Sequence, residues 1–173
     1  YTHFEIIIID DGSTDNTSTF IKKIKDPRVK YFYISHLGNP AAVRNIGIKK
    51  SAFEWICFLD SDDLWETNKL YVCNKYIKKS YDFICHDMII INDIKKKKIK
   101  LNFFNKKISF QKLLFNGNFI FNSSVVVKKN ILNQVGFINE KSNIIAAEDY
   151  NLWIKIAYIK KNMVFVNKSL GKY

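Results

Sequence analysis

Asp60, Ser61, Asp62 and Asp63 follow directly on the apolar run Trp55 to Leu59. Three carboxylates so close together repel one another and need water, a cation or hydrogen-bond donors around them. Asp60 and Asp62 stand in an Asp-X-Asp spacing. Hard oxygen ligands of this kind suit Mg²⁺ or Mn²⁺, which reach a protein through one or two carboxylates and take their other ligands from phosphate and water. A solvated turn in which Asp62 or Asp63 caps the next helix accounts for the same residues equally well. A second acidic pair, Asp10 and Asp11, closes the apolar run Phe4 to Ile9 and is followed by Gly12 and Ser13. A third, Glu148 and Asp149, opens a helical pattern, where the helix dipole welcomes acids whatever their use. Arg44 lies near the start of a helix, the end whose unpaired amides favour an anion. A structural salt bridge is an equal reading of Arg44, with its partner open.

The elements that must carry these groups alternate. Phe4 to Ile9, Val29 to Ile34, Trp55 to Leu59 and Tyr81 to Cys85 read as strands, and helices are expected over 16–25, 41–51 and 66–79. Continuous rather than alternating apolarity suits strands covered on both faces, as in parallel sheets. The repeated strand, loop and helix order predicts a doubly wound, three-layer α/β/α fold with a mostly parallel mixed sheet. Ligands of such sheets bind beyond the carboxyl ends of the strands, where Asp10, Asp11, Asp60, Asp62 and Asp63 fall.

From His86 the character changes. Met88 to Ile91 and Ile99 to Phe104 read as extended arms around a lysine-rich tip. A short helix over 109–116, a strand over 119–127, a helix over 129–135 ending near Gly136, a helix over 147–158 and a last strand over 163–166 complete the expectation. Leu152, Trp153, Ile156 and Ala157 form the buried stripe of the 147–158 helix.

The chain of 173 residues holds one domain's worth of core, 47% of it hydrophobic with two prolines and six glycines. Its formal charge is +12. Only Arg28 and Arg44 are arginines, so the excess is lysine scattered along the chain; that argues for attraction to anions in general and against nucleic-acid recognition. Cys57, Cys73 and Cys85 have no metal-finger spacing and read as buried thiols of a reducing compartment. No apolar run approaches the length of a membrane span, and no signal-peptide pattern is present.

Four stretches together carry a resemblance: Ile6 to Thr14 (Ile-Ile-Ile-Ile-Asp-Asp-Gly-Ser-Thr), Ala42 to Gly47 (Ala-Val-Arg-Asn-Ile-Gly), Ile56 to Trp65, and Ala147 to Ile154 (Ala-Glu-Asp-Tyr-Asn-Leu-Trp-Ile). In this order and spacing the sequence resembles the family 2 glycosyltransferases of the GT-A fold, over nearly all of its length. The resemblance implies an inverting transfer of sugar from a nucleotide diphosphate sugar, typically a UDP-sugar, to a hydroxyl of a cell-surface glycan or a lipid-linked acceptor. It implies that Asp11, with Asp10 beside it, reaches the nucleotide base. Asp60 would lie near the ribose, and Asp62, assisted by Asp63, would hold Mn²⁺ or Mg²⁺ on the diphosphate. Arg44 belongs to the same nucleotide side, and Asp149 takes the place of the general base. Residues 1–85 become the nucleotide-sugar half and 86–173 the acceptor half of a single domain. The implied setting is a bacterial cytoplasm, with the inner face of the plasma membrane as a peripheral station.

The family pattern opens with a further strand and helix and continues beyond the stretch matched by Tyr173, so the chain is expected to be a piece of a longer protein. Two other readings stand beside this one. A nucleotidyltransferase of similar fold would carry a Gly-rich basic phosphate loop, which Asp10-Asp11-Gly12-Ser13 does not resemble. A catalytically silent domain that binds a nucleotide sugar would keep the carboxylates without the transfer.

Overall fold

A computed structural model describes residues 1–92, 97–100, 107–159 and 161–173 of the chain. Strand β1 (Ile6–Asp11) leads through a glycine turn to helix α1 (Thr17–Lys22), strand β2 (Val29–Ile34) and helix α2 (Pro40–Lys50). Asn39 caps α2 by accepting from the amides of Ala41 and Ala42, and Pro40 occupies the first turn, where its missing N–H costs nothing. Then come β3 (Trp55–Cys57), the short β4 (Leu64–Trp65), α3 (Lys69–Ile77), β5 (Phe83–Asn92) and β6 (Lys97–Lys100). The chain continues through α4 (Phe110–Asn116), a 3-10 turn at Asn122–Ser124, β7 (Val126–Lys128), α5 (Lys129–Gln134), α6 (Glu148–Tyr158) and β8 (Met163–Lys172).

The helix-flanked α/β arrangement is present, but the expectation of a mostly parallel sheet is wrong. β1 and β2 pair in parallel as a two-stranded sheet, while the larger sheet runs β3-β7-β5-β8-β4 with β6 also on β5. Among the described residues of that larger sheet only β5 and β8 run parallel; β3 with β7, β5 with β7, β4 with β8 and β5 with β6 are antiparallel. Continuous apolarity reports that both faces of a strand are covered and says nothing of its direction. Val126–Lys128 is too short to announce itself by period, and β4 follows β3 without a crossover helix.

Both faces of the larger sheet are packed. Ile56, Phe83, Cys85, Val127, Met163 and Phe165 meet Leu113 of α4, Leu132 of α5, and Leu152, Trp153 and Ile156 of α6. The alternate residues Ile84, Val126, Val164 and Val166 pack with Cys73 of α3. This is the two-residue alternation of a sheet buried on both sides. Trp153 is fully buried, 5.2 Å centroid to centroid from Phe83, and so belongs to the core.

Several boundaries differ from expectation. The first strand was expected over 4–9, but β1 lies two residues later and takes in Asp10 and Asp11; it is only half-buried, with Ile6 43% exposed, since among the described residues it pairs with β2 alone. His86 and Asp87 look like a break in sequence, yet β5 runs through them; the irregularity is a bulge against β8. β8 is correspondingly long, continuing through Asn167-Lys168-Ser169. The stretch 119–127 is strand only at its end. The arm expected over 99–104 and its lysine tip fall largely outside the described residues, though the backbone of 97–100 does pair antiparallel with β5.

Candidate functional site

The end of β3 delivers Asp60 into a polar cleft of about 340 Å³ whose walls include Arg44, Asn118, Asn122, Glu148 and Asp149. Arg44 is the organising cation. Its guanidinium donates through Nη2 to Asp60 Oδ1 at 2.9 Å and through Nη1 to Glu148 Oε1 at 2.9 Å. The partner left open by the sequence is therefore a pair of carboxylates, one from the β3 loop and one from the first turn of α6. Asn122 Nδ2 donates to the same Asp60 oxygen at 2.9 Å. Asn45, the residue after Arg44, fixes the approach to α6: it accepts from the Ile138 amide at 3.1 Å and donates to Ile138 O at 2.9 Å and Glu140 Oε1 at 2.7 Å.

Asp149 is half-buried beside Glu148 and the Asn118 amide. Burial pushes its carboxyl above the usual range and the neighbouring Glu148 adds to that, against the Tyr150 amide, Arg44 and Asn118, which favour the charged form. A carboxylate more basic than an ordinary aspartate and open to a cleft can accept a proton. Ala146, which lines the cleft just before α6, has φ +70°, a left-handed conformation costly for a residue with a Cβ. Glu148 is buried, and its second oxygen, Oε2, has no hydrogen-bond partner.

The acidic turn after Asp60 splits by exposure. Asp62 is exposed, whereas Asp63 is buried and its Oδ2 lacks a partner. Burial raises the Asp63 carboxyl, Ser123 opposes the rise, and the charges of Asp60 and Asp62 reinforce it. An orphaned buried carboxylate oxygen beside two further carboxylates fits a hard divalent cation that brings phosphate and water as its remaining ligands. Among the described residues no group of three or more His, Cys, Asp or Glu forms a ready-made metal cage.

Asp10 and Asp11 lie outside this cleft lining. Asp10 is buried and spends both oxygens on the fold, accepting from the Ser13 amide at 2.8 Å and the Tyr31 hydroxyl. Burial works against its ionisation, but these bonds prevail and its carboxyl lies below the ordinary range. Asp11 instead reaches the loop after β2, accepting from the Leu37 amide at 2.7 Å and the Gly38 amide at 3.3 Å, with His36 Nδ1 3.1 Å away. Gly12, at φ +76°, makes that approach feasible: a Cβ there would stand 2.9 Å from His36 Cβ and 3.0 Å from its backbone nitrogen.

The structure thus brings Arg44, Asp60 and Asp149 to one cleft, sets Asp62 and Asp63 on the adjoining turn, and keeps Asp10 and Asp11 apart at the end of β1. Asn45, Asn118, Asn122 and Glu148 join them. Of these, Glu148 was marked in the sequence by its pairing with Asp149, and Asn122 stands out as a polar residue inside an otherwise apolar run.

Known proteins resemble this chain both in sequence and in fold. An uncharacterized glycosyltransferase of Haemophilus influenzae is 33% identical over 172 residues, covering 98% of this chain and 66% of its own length. An Escherichia coli protein, the UDP-Glc:alpha-D-GlcNAc-diphosphoundecaprenol beta-1,3-glucosyltransferase WfgD, is 32% identical over 158 residues, covering 90% of this chain and 59% of its own length. Rickettsial relatives are longer still, and the chain spans only 28% and 24% of two of them. In three dimensions, S. aureus TarS residues 1–349 solved with UDP shares the fold at a TM-score of 0.81 and 20% identity, over 99% of this chain and 51% of that one. The family model "Glycosyl transferase family 2" matches residues 1–136, which hold the Asp10-Asp11 turn, Arg44 and the Asp60 to Asp63 turn. With both strand-end carboxylate sites inside that match, the chain belongs to glycosyl transferase family 2.

Proposed function

We propose that the protein transfers a sugar from a nucleotide diphosphate sugar, a UDP-sugar, to a hydroxyl of a glycan or lipid-linked acceptor, with inversion at the anomeric carbon. The observation that carries this reading is the cleft in which Asp149, held more basic than usual, shares walls with the Arg44–Asp60 pair at the end of β3. Asp149 takes the proton of the acceptor hydroxyl as that oxygen attacks, which requires a carboxylate on the acceptor side of the sugar ring. Positive charge builds on the ring carbon and oxygen in the transition state, as in other glycosyl chemistry. Asp60 serves the ribose side, where its position is held by Arg44 and Asn122. Asp11, more exposed than Asp10, is the residue that reaches the base; Asp10 shapes the turn beneath it.

Family membership implies a divalent-cation-dependent chemistry in general. We assign Mn²⁺ or Mg²⁺ to Asp62 and Asp63, on the strength of the orphaned Asp63 oxygen. When bound, such a cation offsets the charge that accumulates on the leaving diphosphate. The nucleotide half is 1–85 and the acceptor half 86–173. The E. coli relative is a UDP-glucose enzyme acting on a diphosphoundecaprenol-linked sugar, which supports a UDP donor and a lipid-linked acceptor. Among the described residues no helix is long and apolar enough to cross a membrane, and a peripheral place on the cytoplasmic membrane face completes the proposal.

The test is UDP release from UDP-glucose and UDP-N-acetylglucosamine with Mn²⁺, with the anomeric configuration of the released or transferred sugar read by proton NMR. Inverted product, dependent on Mn²⁺ and on Asp62, supports the assignment. Retained configuration sinks the role of Asp149, and Mn²⁺ dependence unchanged in Asp62→Ala moves the cation to another residue.

A further inference from the structure

Lys69, the first residue of α3, is 1% exposed, an unusual place for an ammonium group. Its Nζ donates to Ser123 O at 2.8 Å and lies 3.5 Å from the centre of the Trp65 ring. Trp65 Nε1 donates to that same carbonyl at 2.8 Å, so both lone pairs of Ser123 O are taken. The Ser123 hydroxyl accepts from the Asp60 amide at 2.9 Å and faces the Asp63 carboxylate, whose ionised form it favours. Ser123 is wholly buried, and its neighbour Asn122 holds the Asp60 carboxylate. One residue of the 3-10 turn therefore touches both ends of the acidic loop, and Lys69 with Trp65 grips that residue from beneath.

We infer that Lys69 and Ser123 are positioning residues that hold the Asp60–Asp63 turn in the geometry its cation and diphosphate need. The inference rests on the nucleotide-sugar reading given above and extends it to residues that touch neither donor nor acceptor. Lys69 could instead act as a nearby positive charge, but then it would oppose a bound cation, and removing it would tighten Mn²⁺ binding. Positioning has the opposite sign. Ser123→Ala isolates the same link without altering any charge.

The experiment is calorimetric titration of the protein and of Lys69→Met and Ser123→Ala with UDP across a series of Mn²⁺ concentrations, alongside thermal unfolding. Methionine approximates the lysine's volume without a charge to bury, and the Ser123 carbonyl keeps its bond from Trp65 Nε1. Each variant should unfold cooperatively, yet require about 10-fold more Mn²⁺ for half-maximal UDP binding, as loss of support behind a metal ligand typically does. UDP affinity at saturating Mn²⁺ should return to within about twofold of the parent, a split that a merely structural role would not produce. A Mn²⁺ midpoint unchanged or lowered in both folded variants overturns the inference. If Lys69→Met fails to fold, the Ser123→Ala midpoint decides alone. A parent that binds no UDP with Mn²⁺ refutes the nucleotide-sugar reading itself, a separate outcome from variants that match a binding parent.

Discussion

Replacing Asp149 by Asn removes the proton acceptor and keeps the side chain's size, so the loss should fall on the chemical step. Glu148 is a poor understudy, because its Oε1 is committed to Arg44 at 2.9 Å and its Oε2 is shut away from solvent. A positioned general base contributes about 10²–10⁴-fold, equivalent to ~3–5 kcal/mol of barrier. With Glu148 and Asp60, the other carboxylates of the cleft wall, both tied to Arg44, the upper half of that range is expected. Stability should move the other way. Burial raises the Asp149 carboxyl above its unfolded value, so its contribution is fully present below the unfolded pKa and is lost as pH rises through the folded one. The asparagine variant escapes that loss and should be at least as stable as the parent at pH 7. In the parent, transfer should fall as pH drops through the raised carboxyl pKa, since only the ionised form accepts a proton. The assay is initial UDP release under saturating donor, with urea unfolding of the same preparations. A folded Asp149→Asn within about tenfold of the parent rate would refute the reasoning.

Three further outcomes follow from the same geometry. Arg44→Met leaves the buried Glu148 and the Asp60 carboxylate without their cation and should cost about 2–4 kcal/mol in urea unfolding, with UDP binding weakened as well; a cost inside the range of exposed pairs, below ~1 kcal/mol, would show the network to be incidental. His86, buried with its pKa lowered to about 3 chiefly by burial and then by Lys69, is neutral in the fold but takes a proton near pH 6.5 when unfolded. Its contribution is therefore present above pH 6.5 and lost as pH falls toward 3, about 2 kcal/mol between pH 7 and 5, and His86→Leu should flatten that slope in pH-dependent unfolding. Gly12→Ala puts a Cβ against the His36 backbone at positive φ and should cost about 1–3 kcal/mol while weakening UDP binding at the Asp11 loop; an unchanged melting temperature would contradict the strained turn.

Local pattern made much of the fold legible. The strand Val29–Ile34 has the boundaries expected of it, and α2 is displaced by one residue because Asn39 caps it and Pro40 begins it. Strand direction was not legible: Val126 and Val127 are as buried as any parallel strand, yet β7 runs antiparallel to both its neighbours. The lengths of β5 and β8 were hidden by His86-Asp87 and Asn167-Lys168-Ser169, polar residues that the paired strands accommodate through a shared bulge. Charge pattern singled out Asp60, Asp62, Asp63 and Asp149 as candidates, but pairing across 104 residues, as between Arg44 and Glu148, leaves no local trace. Lys69 did leave one. It stands four residues before the buried Cys73, on the inward face of α3, where a lysine has no reason to be unless something holds its charge.

The most direct test of the account is calorimetric titration of the protein with UDP and GDP, each with and without Mn²⁺. The account predicts Mn²⁺-dependent binding of UDP, weakened by Asp62→Ala and little changed by Asp149→Asn, because the first belongs to the diphosphate side and the second to the acceptor side. Folded protein that binds neither nucleotide, or binds UDP equally well with and without the cation, would contradict it.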